Sequence, residues 1–121
     1  MRHRVAGSHL HRSGDEAKRL RRNLMASLFL HEAITTTQAK AKMVQGAAEH
    51  LIALARDGSE HHRRLVLARL GGNEQATAKV CDLLAPRFED RPGGFTQIFK
   101  LGKRRGDGAD LVKLRIVPDE F

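Results

Sequence analysis

A chain of 121 residues with 40% apolar and 30% charged content is long enough to bury a core without disulfides or metals, and one domain is expected. Its net charge of +8 implies an anionic partner, while five Phe and no Trp or Tyr argue against single-stranded nucleic acid, which binds by base stacking. Cys81 stands alone, no apolar stretch is long enough for a bilayer, and the start MRHRVAGSHLHR lacks an apolar signal region. These features together exclude an internal disulfide and point to a cytoplasmic chain with no membrane partner.

Taken in order, the charge sits at the ends. Residues 1–22 carry seven Lys/Arg against Asp15 and Glu16, residues 23–99 nine against eight, and residues 100–121 six against four. Residues 1–14 hold only Val5 and Leu10 as sizeable apolar anchors and read as a basic extended N-terminal arm, loose when free and ordered on a polyanion. Residues 15–121 read as a single α+β domain. Ser13 or Asp15 can cap a first helix from about Asp15 to His31, with Leu20, Leu24 and Leu28 as its apolar stripe and Lys18, Arg19, Arg21 and Arg22 on the exposed side.

Ile34-Thr35-Thr36-Thr37 then changes the texture, because consecutive β-branched residues disfavour helix and suit a short strand. The strand can lie at the edge or in the centre of a sheet, and Thr35, Thr36 or Thr37 can cap the next helix. That helix, roughly 37–57, has the clearest period of the chain in Val44, Ala47, Ala48, Leu51, Ile52 and Ala55, and Gly58 can end it. A third helix is expected from about Ser59 to Leu70, with Leu65, Val66 and Leu70 inward. Gly71-Gly72 breaks it, Asn73 caps a fourth with Ala76, Val80, Leu83 and Leu84, and Pro86 closes that one.

Beyond the turn Arg91-Pro92-Gly93-Gly94 the period becomes two. Phe95–Leu101 and Leu111–Val117 read as strands around the glycine-rich loop 102–110, with Val112, Leu114 and Ile116 on one face and Lys113 and Arg115 on the other. A hairpin with one apolar face must be covered. The expectation is a two-layer α/β domain of order α-β-α-α-α-β-β, four helices packed on a small three-stranded sheet.

The candidate chemistry is phosphate binding. Arg2, His3, Arg4, His11 and Arg12 on the arm run into Lys18, Arg19, Arg21, Arg22 and Asn23 on the first helix, where Arg side chains can fork onto backbone oxygens. Lys103, Arg104 and Arg105, flanked by glycines, make a probe at the hairpin tip. Lys40 and Lys42 lie at the start of the second helix, where cations oppose the helix dipole and an external anion would relieve them. The histidines lack the paired spacing of a zinc site, His31-Glu32 has no second histidine, and no nucleophile or nucleotide motif is present. No cofactor, metal, small-molecule substrate or enzymatic activity is expected.

A set of short motifs follows in order. It comprises Met1-Arg2-His3-Arg4, Arg22-Asn23, Ser27-Leu28, His31-Glu32 before Ile34, Thr36-Thr37 and Lys40-Ala41-Lys42. Leu51-Ile52, Leu54-Ala55, Arg63-Arg64, Pro86-Arg87, Gly93-Gly94-Phe95-Thr96 and Gly106-Asp107 complete it. Over essentially the whole chain these resemble the bacterial ribosomal protein L-seventeen family. The resemblance implies a structural, non-catalytic constituent of the large ribosomal subunit. It also implies docking on large-subunit ribosomal RNA near the outer opening of the peptide exit tunnel, beside neighbouring ribosomal proteins. The chain departs from the family pattern at Asp15-Glu16-Ala17 and at Val5, Ser8, Gln45, Gly46 and Gln97, where basic residues are usual, so no phosphate contact is assigned there. The rivals are a free-standing RNA-binding module acting off the ribosome and an enzyme acting on RNA. An enzyme would need converging polar groups where this chain offers dispersed basic ones.

Overall fold

The computed structural model describes residues 14–118. Helix α1 spans Gly14–His31, strand β1 Ala33–Thr37, α2 Gln38–Ala55, α3 Glu60–Arg69 and α4 Glu74–Ala78. The last runs on through a π-helical stretch, Lys79–Leu84, into one further turn, α5 (Ala85–Arg87), ahead of strands β2 (Thr96–Lys103) and β3 (Asp110–Ile116). The strands form one antiparallel sheet in the order β1-β3-β2. This is the α+β order expected, with β1 at an edge and β3 between its two partners.

The boundaries have local causes. Thr37 is the cap of α2, its hydroxyl accepting from the Lys40 N–H at 3.4 Å, and Ser59 and Asn73 do the same for His62 and Ala76. At the end of α1, Glu32 adopts a left-handed backbone (φ 63°) and its N–H donates to the Leu28 carbonyl at 2.7 Å, a C-terminal cap more often made by glycine. Glu32 is held there from three sides. Its carbonyl accepts from Ile116 N–H at 2.9 Å, and its carboxylate accepts from Lys79 at 3.0 Å and Arg87 at 2.5 Å. The α1–β1 junction is thereby fixed to both the sheet and the last helical segment.

Several expectations are refined. The stripe of α1 is broader than Leu20, Leu24 and Leu28: Leu28 is buried as expected, together with Ala17, Met25 and Phe29, Leu24 is half-buried against the core, and Leu20 is half-buried. Arg21 stands four residues from both Ala17 and Met25, on that same face, and is half-buried. Leu83, one of the apolar residues expected in the fourth helix, is 58% exposed. The π-helical stretch adds a residue to the turn, so the inward row of this segment passes through Ala76, Val80 and Leu84 and leaves Leu83 in solvent. Pro86 does not close the helix, which continues through Arg87. Ala85 donates to the Val80 carbonyl, five residues back, so the ladder has already widened where the proline ring needs room.

The core lies between the inner face of the sheet and the helices. Val112, Leu114 and Ile116 meet Leu28, Phe29, Val44, Leu51, Ile52 and Leu84 in one cluster. Phe95, expected to open a strand, precedes β2 instead and is buried against Phe88 with ring centroids 5.1 Å apart. In β2 the pairing jumps from Lys100↔Val112 to Gly102↔Leu111, leaving Leu101 unopposed in a bulge and 54% exposed.

Candidate nucleic-acid interface

The basic side chains of the body divide by whether they have an internal partner. Arg63 pairs with Asp82 at 2.9 Å, and Lys79 and Arg87 share Glu32. Arg56 donates to the carbonyls of Phe88 and Arg91 and lies 5.2 Å over the Phe95 ring. These cations brace the fold. By contrast, Lys18, Arg19, Arg21, Arg22, Lys40, Lys42, Arg69 and Arg105 have no ion-pair partner among the described residues. Unpaired cations are free to meet an external anion.

Three of the expected contact residues come together. Lys18, Arg21 and Arg22 of α1 line a groove of about 260 Å³ with His50 of α2 and Arg69 at the end of α3. Met25, Ala47 and Leu51 form its floor, and no acidic side chain among the described residues lines it. Arg22 lies on Gly71: a Cβ at that glycine would sit 3.3 Å from Arg22 Cδ, so the bare left-handed turn (φ 69°) is what admits the side chain. Arg21 Nε is buried without a hydrogen-bond partner among the described residues. Arg19 and Asn23 are exposed on α1 outside this groove. His50 and Arg69 escaped the sequence reading because they belong to other helices. The spacing Ala17–Arg21–Met25 could have drawn attention to Arg21, since a cation on an apolar row is seldom simply solvated.

The hairpin tip is differently built. Lys103 Nζ donates to Asp110 at 3.1 Å, and Arg104 donates to both carboxylate oxygens of Asp107, one through Nε at 3.0 Å. That pairing holds the Asp107 carboxyl well below its usual range, the Arg104 guanidinium being the main cause. Asp107 also accepts from Ala109 N–H at 3.1 Å, so Arg104 and Asp107 together shape the loop. Arg105 is exposed at the tip. Lys42, on the first turns of α2, lines a surface hollow with Ala109 and Asp110, which places it beside the base of the hairpin. Lys40 is half-buried in the turn capped by Thr37. The arm residues Arg2, His3, Arg4, His11 and Arg12 lie outside the described residues.

Among the described residues nothing covers the outer face of the sheet at Thr35, Phe99 and Lys113, and this face is also basic. Lys113 stands between Thr35 and Phe99 in the register, and Arg115 donates through Nε to Gln97 at 3.0 Å with its guanidinium 4.8 Å over the Phe99 ring. Gln97 therefore orients a cation rather than supplying one. Gln45 likewise turns inward, donating to the Thr96 hydroxyl at 3.1 Å, and that hydroxyl donates to Glu49 at 2.7 Å.

No three His, Cys, Asp or Glu side chains among the described residues are grouped to hold a metal ion, and no described helix is long and apolar enough to cross a membrane. Cys81 is half-buried against the core, and desolvation pushes its thiol pKa up, away from nucleophilic character.

Comparison with known proteins gives a consistent result. The family described as Ribosomal protein L17 matches residues 20–117. The large ribosomal subunit protein bL17 of Thermomicrobium roseum is 51% identical over 97% of this chain and 99% of its own. Its counterpart in Chloroflexus aggregans is 44% identical over 97% of this chain and 100% of its own, and that of Syntrophotalea carbinolica 40% identical over 100% and 77%.

Proposed function

From the premise that this chain belongs to the family Ribosomal protein L17, whose members are structural proteins of the large ribosomal subunit and not enzymes, we propose how it holds ribosomal RNA. The basic face of α1 with its arm takes one stretch of RNA backbone, and the hairpin tip, led by Arg105, reaches a second. Lys40 and Lys42, between them at the start of α2, complete the phosphate contacts. The arm, residues 1–14, acts as the RNA-ordered extension of a domain spanning 15–121. Docking beside the outer opening of the peptide exit tunnel, among neighbouring ribosomal proteins in the cytoplasm, completes the reading.

The observation that carries the reading is the segregation of cations. Those near an acid are used internally, while Lys18, Arg19 and Arg22 on α1 and Arg105 at the loop tip are exposed with no ion-pair partner among the described residues. A folded protein gains nothing from such unpaired charges, which repel one another, but a polyanion releases counterions on meeting them. The protein acts by positioning and electrostatics, pinning RNA segments at a fixed separation set by the rigid α1–β1 junction.

Sedimentation of the native protein through a sucrose gradient tests this, with recovery in the large-subunit peak expected. Recovery only in the soluble fractions would favour a module acting off the ribosome. Crosslinks from a stalled nascent chain to the protein would support the position beside the tunnel opening, and crosslinks confined to the subunit's opposite face would refute it.

A further inference from the structure

We infer that the groove between α1, α2 and the end of α3 is a seat for a single phosphodiester of folded RNA, formed by Lys18, Arg21, Arg22, His50 and Arg69. This deepens the function proposed above and rests on it, adding a site assembled from three helices rather than a charged face of one.

Three observations converge. Four obligate cations and a histidine line a groove of about 260 Å³ that has no acidic wall among the described residues. Placing like charges together without a counter-ion is unfavourable, and Lys79 and Arg87 by contrast meet over Glu32, and Lys103 beside Asp110. Next, Arg21 Nε is buried and makes no hydrogen bond among the described residues, although Arg21 lines the groove. Buried polar groups are normally satisfied, so an orphan donor beside a basic groove marks a missing acceptor. Lastly, the Arg22 side chain packs beside Gly71 in the turn after α3, so residues of α1 and of the α3 end share one wall of the groove.

The chemistry selects the occupant. A phosphodiester offers two anionic oxygens whose spacing fits the guanidinium fork, and two arginines from different helices can grip one group from two sides. The groove is half-open rather than an enclosed cavity, as a passing stretch of backbone requires. The open rim lets the chain enter and leave.

The test measures binding of the full-length protein to purified large-subunit ribosomal RNA across a salt series, with Arg69→Gln and, separately, Lys18→Gln. Arg64→Gln, exposed on α3 and outside the groove, serves as control. Each groove variant is expected to weaken binding about 5- to 10-fold and to lower the slope of log K against log salt by about 0.7 to 0.9, with melting temperature retained. The control should leave both unchanged. An unchanged slope in both groove variants, with the fold intact, would overturn the site. If deletion of residues 2–12 still weakened binding in that case, the groove alone would fall; if the wild-type protein bound no ribosomal RNA, the functional reading would fall with it. Inorganic phosphate, titrated while the Arg21 side-chain resonances are observed, separates the sources. Saturation by phosphate with no RNA-dependent slope change would make this a free-anion site and refute the RNA seat. Loss of the variants from large subunits with RNA binding intact would assign the groove to an acidic protein neighbour and refute it equally.

Discussion

Glu32 combines two opposed contributions that substitution can separate. As a non-glycine residue at φ 63° it bears a backbone cost of roughly 1 kcal/mol relative to glycine, while its carboxylate joins Lys79 and Arg87. The Arg87 and Lys79 side chains are 16% and 23% exposed, so the two charge-assisted bonds are partly shielded from water and together contribute about 1–3 kcal/mol. Glu32→Ala loses the bonds and keeps the strain; Glu32→Gly loses the bonds and relieves it. The glycine variant is therefore expected to be more stable than the alanine variant by about 1 kcal/mol, roughly 4 °C in melting temperature, the reverse of the order within a helix. The bond from Arg87 is the main cause that lowers the Glu32 pKa from its usual 4.5. A carboxylate with a depressed folded pKa stabilises fully above its unfolded value and loses that contribution as pH falls through the folded one. Glu32→Gln should thus be destabilised by about 1–2 kcal/mol at neutral pH, with the gap to wild type narrowing as pH drops below 4.5. Urea denaturation of the four proteins at several pH values measures this. An alanine variant as stable as the glycine one would refute the strain argument, and a pH-independent gap for the glutamine variant would refute the electrostatic one.

The hairpin tip offers a second separation: Arg105→Ala is expected to lower RNA affinity several-fold without changing the melting temperature. Arg104→Ala should in addition raise amide exchange in residues 104–109, because Arg104 holds Asp107; equal exchange in both variants would count against that brace. Glu49 accepts from the N–H groups of Gly94 and Phe95 and from the Thr96 hydroxyl, so Glu49→Ala is expected to cost about 2–4 kcal/mol by denaturant titration, and a loss under 0.5 would refute its role in setting the turn before β2. Leu83→Lys should change stability by no more than about 0.5 kcal/mol, since the side chain is 58% exposed; a loss of several kcal/mol would show it buried after all.

The division between paired and unpaired cations also explains why net charge alone is a blunt guide to the interface. Asp82, Glu32 and Asp107 lie 19, 55 and 3 residues from the arginines they hold. Only the last pairing is close enough in sequence to be read from it. The arginines thus engaged contribute to the total charge but are committed to the fold. Conversely, Gln45 and Gln97, which depart from the basic residues usual in the resembled family pattern, are internal hydrogen-bond partners, and Gln97 acts through Arg115.

Local rules were sufficient for the element order. β-branched Thr35–Thr37 ended a helical run, Ser59 and Asn73 announced helix starts, paired glycines broke α3, and alternation in Val112–Ile116 showed which face of β3 is buried. Each depends on residues within a turn or two of one another, so the chain carries that information directly. Sidedness and pairing were not available in this way. Whether Arg21 faced solvent, whether β1 lay at the edge, and which turn the π-helical stretch would offset all depend on how separate elements pack. The groove of Lys18, Arg21, Arg22, His50 and Arg69 is likewise a product of packing, because residues some 50 positions apart meet only when three helices share one core. The sequence determined that this protein is basic, helical and sheet-capped; tertiary structure decided which of its described charges have an internal partner and which do not.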